Sequence, residues 1–364
     1  VAEIPDLYRD LEDLVLSHGP PGMEDEVREL ISHRLKGLVD SLKVDRMGNL
    51  IAIKGDGNPR IMLDAHMDEI GFIVKHIDDE GLLWFELNGG VNEKTLLGQH
   101  VTILSRKGKI PGVVGTKSRH LLSEEEALKV TRVTDMWIDI GAVNTKEVSE
   151  MGVKVGDLGS FQKRFIKLKG DCFSAPSIDD RAGCLILIEA LRKLRKWKGT
   201  VYAVFTVEEE VGCRGAKTAA YSIDPDVAFV IDTTYGLDPA TTSRETRLKI
   251  GAGPSIRALE RSSRFGMGWI ASRRVYNFLL DIAEEGGFKY QTEVNTMSIT
   301  DASSIHLAKS GIPTGEILVP RRYSHSPVEV ASMSDIEEAS GLLVKVLECL
   351  DADWVSGLGE KFRV

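Results

Sequence analysis

An apolar run that ends in three consecutive carboxylates constrains this chain more than any other feature. Val201 to Val207 is rich in β-branched and aromatic residues and predicts a buried strand. It runs straight into Glu208, Glu209 and Glu210. A second apolar run, Val227 to Ile231, ends in Asp232. Like charges gathered at the ends of buried strands are costly unless something positive sits between them. In open α/β sheets that carboxyl edge is where ligands bind. The stretch therefore predicts metal ions at the edge, with distant parts of the chain bringing the remaining ligands.

The flanking sequence has α/β texture. Leu7 to Leu16 and Met23 to Leu38 have helical periodicity, separated by the turn Gly19-Pro20-Pro21-Gly22. Two short strands surround Gly48-Asn49, and the strand Arg60 to Ala65 leads into His66-Met67-Asp68-Glu69. Asp180 to Lys196, Ser272 to Glu285, Ser303 to Ser310 and Ser334 to Leu350 predict helices. Ser334 and Glu337 have the spacing of a capping box for the last. Helices alternating with single strands imply a mostly parallel sheet covered by helices on both faces.

Between Ile70 and about Phe165 the pattern changes. Short apolar runs (Gly71 to His76, Leu82 to Leu87, His100 to Leu104, Gly112 to Gly115, Met136 to Ile140) alternate with polar turns. This predicts a small β-barrel-like domain over residues 70–165, inserted into a larger domain made of residues 1–69 and 166–364. Arg119 to Arg132 reads as a short helix or a loop.

Composition excludes several classes. Lys and Arg number 46 against 55 Asp and Glu, and the net charge of −9 argues against nucleic-acid binding. No run approaches the roughly 18 apolar residues of a membrane span. Val1 to Asp10 has no apolar core of the signal-peptide kind, which predicts a cytoplasmic protein. The four cysteines (Cys172, Cys184, Cys213, Cys349) form no Cys-x-x-Cys pair and read as buried thiols in a reducing compartment.

Five places put metal-type ligands at a strand end or turn: His66 with Asp68, Asp179 with Asp180, Glu208 to Glu210, Asp232, and His325. Histidines mixed with carboxylates suit zinc, with cobalt and manganese as alternatives. His66 and Asp68 are two apart, so in extended chain they face one way, and the carboxylate can hold the second imidazole N–H. Asp179 and Asp180 open a helix, where a cap accounts for one of them. Adjacent glutamates allow two roles, one binding metal while its neighbour handles a proton. His120 is a candidate substrate contact, and the remaining histidines have no metal role. Other chemistries lack their motifs: there is no His-Glu-x-x-His, no Gly-x-Ser-x-Gly and no Walker sequence, and Gly251-Ala252-Gly253 is too short for a dinucleotide loop.

Five segments in this order carry a family likeness: Asp64-Ala65-His66-Met67-Asp68-Glu69-Ile70-Gly71-Phe72, Ile178-Asp179-Asp180-Arg181-Ala182-Gly183-Cys184, Thr206-Val207-Glu208-Glu209-Glu210-Val211-Gly212-Cys213-Arg214-Gly215-Ala216, Ile231-Asp232-Thr233 and Arg322-Tyr323-Ser324-His325-Ser326-Pro327-Val328-Glu329. Over almost its whole length the chain resembles the tetrahedral (TET) aminopeptidases, dinuclear metallopeptidases that include glutamyl and deblocking aminopeptidases. The resemblance implies a phosphorylase/hydrolase-like α/β fold and two divalent ions per subunit, with zinc the leading choice. It implies that Asp179 bridges the ions, that His66 and Asp232 complete one shell, and that Glu210 and His325 complete the other. Glu209 would be the general base and Asp68 would orient His66. Glu208 stands where relatives often have Gln, adding a third acid nearby. The implied activity is removal of N-terminal residues from short peptides with a free amino terminus, by water activated between the ions. The implied assembly is a tetrahedral dodecamer of six dimers joined through the inserted β-domain.

Two other classes are compatible with the acids alone: a glycoside hydrolase using paired carboxylates, and a catalytically silent peptide-binding scaffold. Thr234 to Arg244, Gly251 to Gly268 and Gly311 to Pro320 are expected to shape the substrate pocket. Arg244, Arg247 and Arg257 could meet an acidic side chain there, but are expected to serve as ordinary charge partners.

Overall fold

The two carboxylate-tipped strands lie at the centre of a nine-stranded sheet, with the strand that ends in His66 between them. The computed structural model describes residues 7–237, 247–264 and 266–358. Its central strands, Thr200–Thr206, Arg60–His66, Val227–Tyr235 and Thr314–Arg321, are neighbours in that order and run parallel. Antiparallel strands flank them: Leu50–Gly55 and Ser41–Val44 on one side, Ser255–Ser262 and Met267–Ile270 on the other. Gln291–Asn295 pairs parallel with Ser255–Ser262. Pairing of Thr206 with His66 and of Tyr235 with Arg321 brings all four carboxyl ends to one edge.

Side-chain alternation explains the two helical layers. Ile61, Leu63, Ala203, Phe205, Phe229 and Ile231 pack on one face, against Leu7–Leu16, Asp25–Leu35, Ile178–Lys193, Arg273–Gly286 and Met333–Cys349. Met62, Val204, Ala228 and Val230 point the other way, under Arg214–Ile223 and Ala302–Ile305. The strands are apolar on both faces, as a doubly covered sheet requires.

Six strands close into a barrel: Gly71–Ile77, Leu83–Asn88, His100–Ser105, Gly108–Gly115, Trp137–Asp139 and Leu158–Phe161. Its separate core includes Phe72, Val74, Phe85, Val101, Ile103, Ile138 and Phe161. A Cβ on Gly159 would stand 2.3 Å from the Phe72 ring, so glycine lets the last strand close against the first. Within the excursion after the fourth strand, Glu124–Leu128 is a short helix with a capping box from Ser123. Among the described residues, no helix is long and apolar enough to cross a membrane.

Two helical expectations need correction. Ser303 to Ser310 is helical only over Ala302–Ile305. Ser303 Oγ instead donates to Glu260 at 2.7 Å, and Lys309 adopts φ +54°, which ends regular structure. The capping box at Ser334 is also absent, because Ser332 occupies the cap position and makes no side-chain cap bond. A distant carboxylate takes over: Asp171 Oδ2 accepts from Ser334 N (3.1 Å) and Ser332 Oγ (2.6 Å).

Arg181 ties these layers together beneath the carboxyl edge. Fully buried, it donates to the carbonyls of Leu14 (2.7 Å), Ser17 (3.1 Å) and Met67 (3.0 Å), and lies 3.7 Å from Glu69. Arg181→Met is expected to lower unfolding free energy by about 3 kcal/mol, because it strands these carbonyls and weakens the compensation of Glu69. Denaturant unfolding of the metal-stripped protein measures this, and a loss under about 1 kcal/mol would contradict the assignment.

Candidate metal centre

Asp179, Glu209, Glu210, Asp232 and His325 line one cavity of about 190 Å³, and His66 lies behind them against Asp179 and Asp232. His66 ends its strand with Nε2 3.2 Å from Asp179 Oδ1 and 3.9 Å from both Asp232 Oδ1 and Glu209 Oε2. On the other side of Asp179, His325 Nε2 lies 3.2 Å from Oδ2 and 3.7 Å from Glu210 Oε1. Two ligand triads result, His66–Asp179–Asp232 and Asp179–Glu210–His325, each with its donor atoms within 4.8 Å of one another. Asp179 belongs to both.

Local backbone explains how residues so far apart converge. Asp179 and Asp180 depart from helical angles although the helix encloses them, and the peptide bond between them is cis. Asp180 does the capping: its Oδ1 accepts from Gly183 N at 2.9 Å, and its Oδ2 from His66 N at 3.3 Å. Asp179 is left facing the cavity. Glu208 sits at φ +56°, turning the chain sharply after its strand. Asp68 holds that turn, its two oxygens accepting from Glu209 N (2.9 Å) and Glu210 N (3.0 Å). The turn sends Glu209 towards His66 and Glu210 towards His325. Five of the seven non-glycine residues at positive φ, among those described, lie in these loops: Ser177, Glu208, Cys213, Tyr323 and His325. Strain of about 1–3 kcal/mol at such positions is tolerated where surrounding structure enforces it.

Asp68 also faces the second nitrogen of His66, with its backbone oxygen 3.1 Å and Oδ1 3.5 Å from Nδ1. Backbone from the barrel closes the opposite side. Gly90 O lies 3.2 Å from His325 Nδ1, and a Cβ on Gly89 or Gly90 would come within 2.9 Å of Glu210 or His325.

Two further residues belong to this centre: Glu329, which closes the last family segment with no role assigned to it, and Arg321, which no motif singles out. Glu329 accepts from Asp179 N (3.1 Å) and His325 N (3.0 Å). Arg321 pairs with Asp179 Oδ2, donates through Nε to Thr233 Oγ1 (2.7 Å), and has Nη1 2.9 Å from Glu329 Oε1 but out of hydrogen-bond alignment. Glu208 turns away from the cluster to pair with Arg214 at 3.1 Å, so no third acid joins the cavity from this position. His120 is exposed on the barrel excursion and does not line the cavity.

The pocket expectations divide. Thr234, Tyr235, Ser262 and Arg264 line the cavity, whereas none of Gly311 to Pro320 does. Met297 to Thr300 form an unanticipated wall. Arg257 is buried among Glu260 (2.8 Å), Glu293 (3.3 Å) and Glu316 (3.5 Å), which fits a charge partner. Arg247 is exposed, and Arg244 lies outside the described residues. All four cysteines are free, with Cys184 and Cys213 buried.

Electrostatics reflect crowded acids. Burial would push the His66 imidazole down, but bonds to Asp179 and Asp68 and the charge of Glu209 hold it well above its ordinary value. Burial opposes the His325 proton too, yet Glu210 and Asp179 raise it to about 9. Burial, then like charge, pushes Glu209 and Asp232 well above the carboxylate range. For Glu210, burial is likewise the main cause, and its carboxyl rises to about 7. Asp179 goes the other way: burial would raise it, but Arg321 and the two histidines hold it well below. Glu210 Oε1 is buried without a hydrogen-bond partner, as expected of an atom that awaits a cation, and the His/carboxylate sets fit zinc, cobalt or manganese.

These shifts give a pH dependence of stability. The His325 proton stabilises the fold fully below its ordinary 6.5, a contribution lost as pH rises towards about 9. Glu210, raised from 4.5 to about 7, opposes folding increasingly over that interval as unfolded chains ionise first. Both effects run downhill with rising pH. The metal-stripped protein is therefore expected to melt at lower temperature at pH 7.5 than at pH 6.5, a window that closes before Lys163, lowered to about 8, is half deprotonated. Thermal melts in chelator across this window test it, and a rising melting temperature would contradict it.

The chain is similar to known proteins over nearly its whole length. The sequence profile described as M42 glutamyl aminopeptidase matches residues 48–342. A putative aminopeptidase of Acetivibrio thermocellus is 41% identical over 329 residues, covering 90% of this chain and 94% of that protein. Aminopeptidase APDkam598 from the archaeon Desulfurococcus kamchatkensis superposes with a TM-score of 0.92 at 38% identity, over 97% of both chains. The TET1 peptidase of Pyrococcus horikoshii, whose structure is described as a tetrahedron or a large octahedral shell, gives 0.85 at 37% identity, over 95% of this chain and 100% of that one. With its fold and most of its length matched in this way, the chain belongs to the M42 glutamyl aminopeptidase family.

Proposed function

We propose that this chain is a two-metal aminopeptidase that removes N-terminal residues from short peptides with a free amino terminus. The observation that carries this reading is the pair of triads sharing Asp179, with Glu209 beside the cavity and outside both triads. His66, Asp179 and Asp232 would hold one divalent ion, and Asp179, Glu210 and His325 the other, with zinc favoured over cobalt or manganese. Bound, the ions would supply acidification of a water molecule and polarisation of the scissile carbonyl.

The chain's own residues do the rest. Glu209, whose burial raises its basicity, takes a proton from water and returns it to the leaving amine. Asp68 fixes the backbone of Glu209 and Glu210 and faces Nδ1 of His66, so one carboxylate orients base and ligands together. Glu329 performs the same service for Asp179 and His325. The cavity walls Thr234, Ser262 and Met297 to Thr300 would receive the substrate's first side chain.

Residues 1–69 and 166–364 would form the catalytic domain, and 70–165 a dimerisation domain. Tetrahedral assembly into a dodecamer is carried over from two similar structures, one a TET1 dodecamer and one the Pyrococcus horikoshii TET1 peptidase that assembles into a tetrahedron or a large octahedral shell, and a cytoplasmic location is part of the same proposal. A glycoside hydrolase would use the acids without metal, and a silent scaffold would not turn over substrate.

A panel of aminoacyl chromogens separates these readings. Chelator is expected to abolish hydrolysis, and added zinc or cobalt to restore it; activity that survives full metal removal would defeat the proposal. Glu209→Gln is expected to keep metal and fold while kcat falls by about 10²–10⁴. Near-normal turnover would remove Glu209 from its role.

A further inference from the structure

We propose that Arg321 is a resident cation of the ligand cluster, a positioning residue that makes the two metal positions unequal, with the Glu210–His325 side the weaker. The inference rests on the two-ion reading above. Arg321 ends its strand with a side chain only 3% exposed, in direct contact with the shared carboxylate. That contact is one-sided. Its Nη2 meets Asp179 Oδ2, the oxygen that also faces His325 Nε2 at 3.2 Å. Asp179 Oδ1, which faces His66 Nε2 at 3.2 Å, is left to the other triad. Any cation held by Glu210 and His325 would therefore meet an Asp179 oxygen already engaged by a guanidinium.

The guanidinium cannot readily yield. Thr233 Oγ1 accepts from Nε at 2.7 Å, and Glu329 lies 2.9 Å from Nη1. Glu329 is itself bound to the backbone N–H groups of Asp179 and His325, so moving Arg321 disturbs two ligand positions. Nor can the charge be titrated away, because arginine stays protonated in proteins. A unit charge within a few ångströms of a dication outweighs a factor of about ten in affinity even at an effective dielectric near 20. In return, Arg321 keeps Asp179 ionised and aimed at both histidines before any ion arrives.

Zn²⁺ titration of the metal-stripped full-length protein, followed by calorimetry with a competing chelator, tests the proposal. Wild type is expected to fill in two unequal steps, the tighter lost in His66→Ala and the weaker lost in His325→Ala. Arg321→Met is expected to tighten the weaker step at least about tenfold and the stronger step by less, so that the gap narrows. Arg321→Lys, which keeps the charge, should preserve the gap. Equal steps in wild type, or a folded Arg321→Met whose weaker step stays or loosens, would overturn the inference. If Arg321→Met does not fold, the wild-type steps and the two histidine variants decide alone. A wild type that binds no Zn²⁺ would remove the two-ion reading and this inference with it.

Discussion

The shared carboxylate of Asp179 is the contact on which this structure depends. It lies against two imidazoles and a guanidinium in a cavity that also contains Glu209, Glu210 and Asp232. Without opposing charge, such a cluster would be expensive to bury. Raised histidines, raised carboxyls and Arg321 offset part of that cost. Divalent cations would do the same job more completely, which is why a costly arrangement can serve a metal enzyme.

The fold creates this concentration and then stiffens it. Parallel strands deliver His66, the glutamate turn, Asp232 and Arg321 to one edge because their registers align there. Two further carboxylates, Asp68 and Glu329, accept backbone N–H groups from the ligand loops on either side. Hydrogen bonds to charged groups of this kind contribute about 1.5–3 kcal/mol each, enough to hold strained turns at Glu208 and His325. The barrel takes part through Gly89 and Gly90, whose missing side chains let its backbone approach Glu210 and His325.

Much of this was legible in the sequence, for identifiable reasons. Apolar runs ending in acids reveal strand ends directly, because burial and charge alternate so abruptly at Val207–Glu208 and Ile231–Asp232. Five of the six barrel strands also stood out, while Leu158–Phe161 did not, since Gly159 and Ser160 interrupt its apolar pattern. Gly159 is there because Phe72 leaves no room for a side chain. Tertiary partners were the main blind spot. Asp171 replaces a local cap at Ser334 from far away in the chain. Arg321 resembles an ordinary charge, and Glu329 a motif acid without a role, until the fold places them against Asp179. Glu208 shows the converse, an acid in the right motif whose turn points it at Arg214.

The most direct test is anomalous diffraction at the zinc edge from crystals of the zinc-loaded protein. Two peaks flanking Asp179 are expected, one bounded by His66 and Asp232 and the other by Glu210 and His325. A single peak, or zinc bound away from Asp179, would contradict the account.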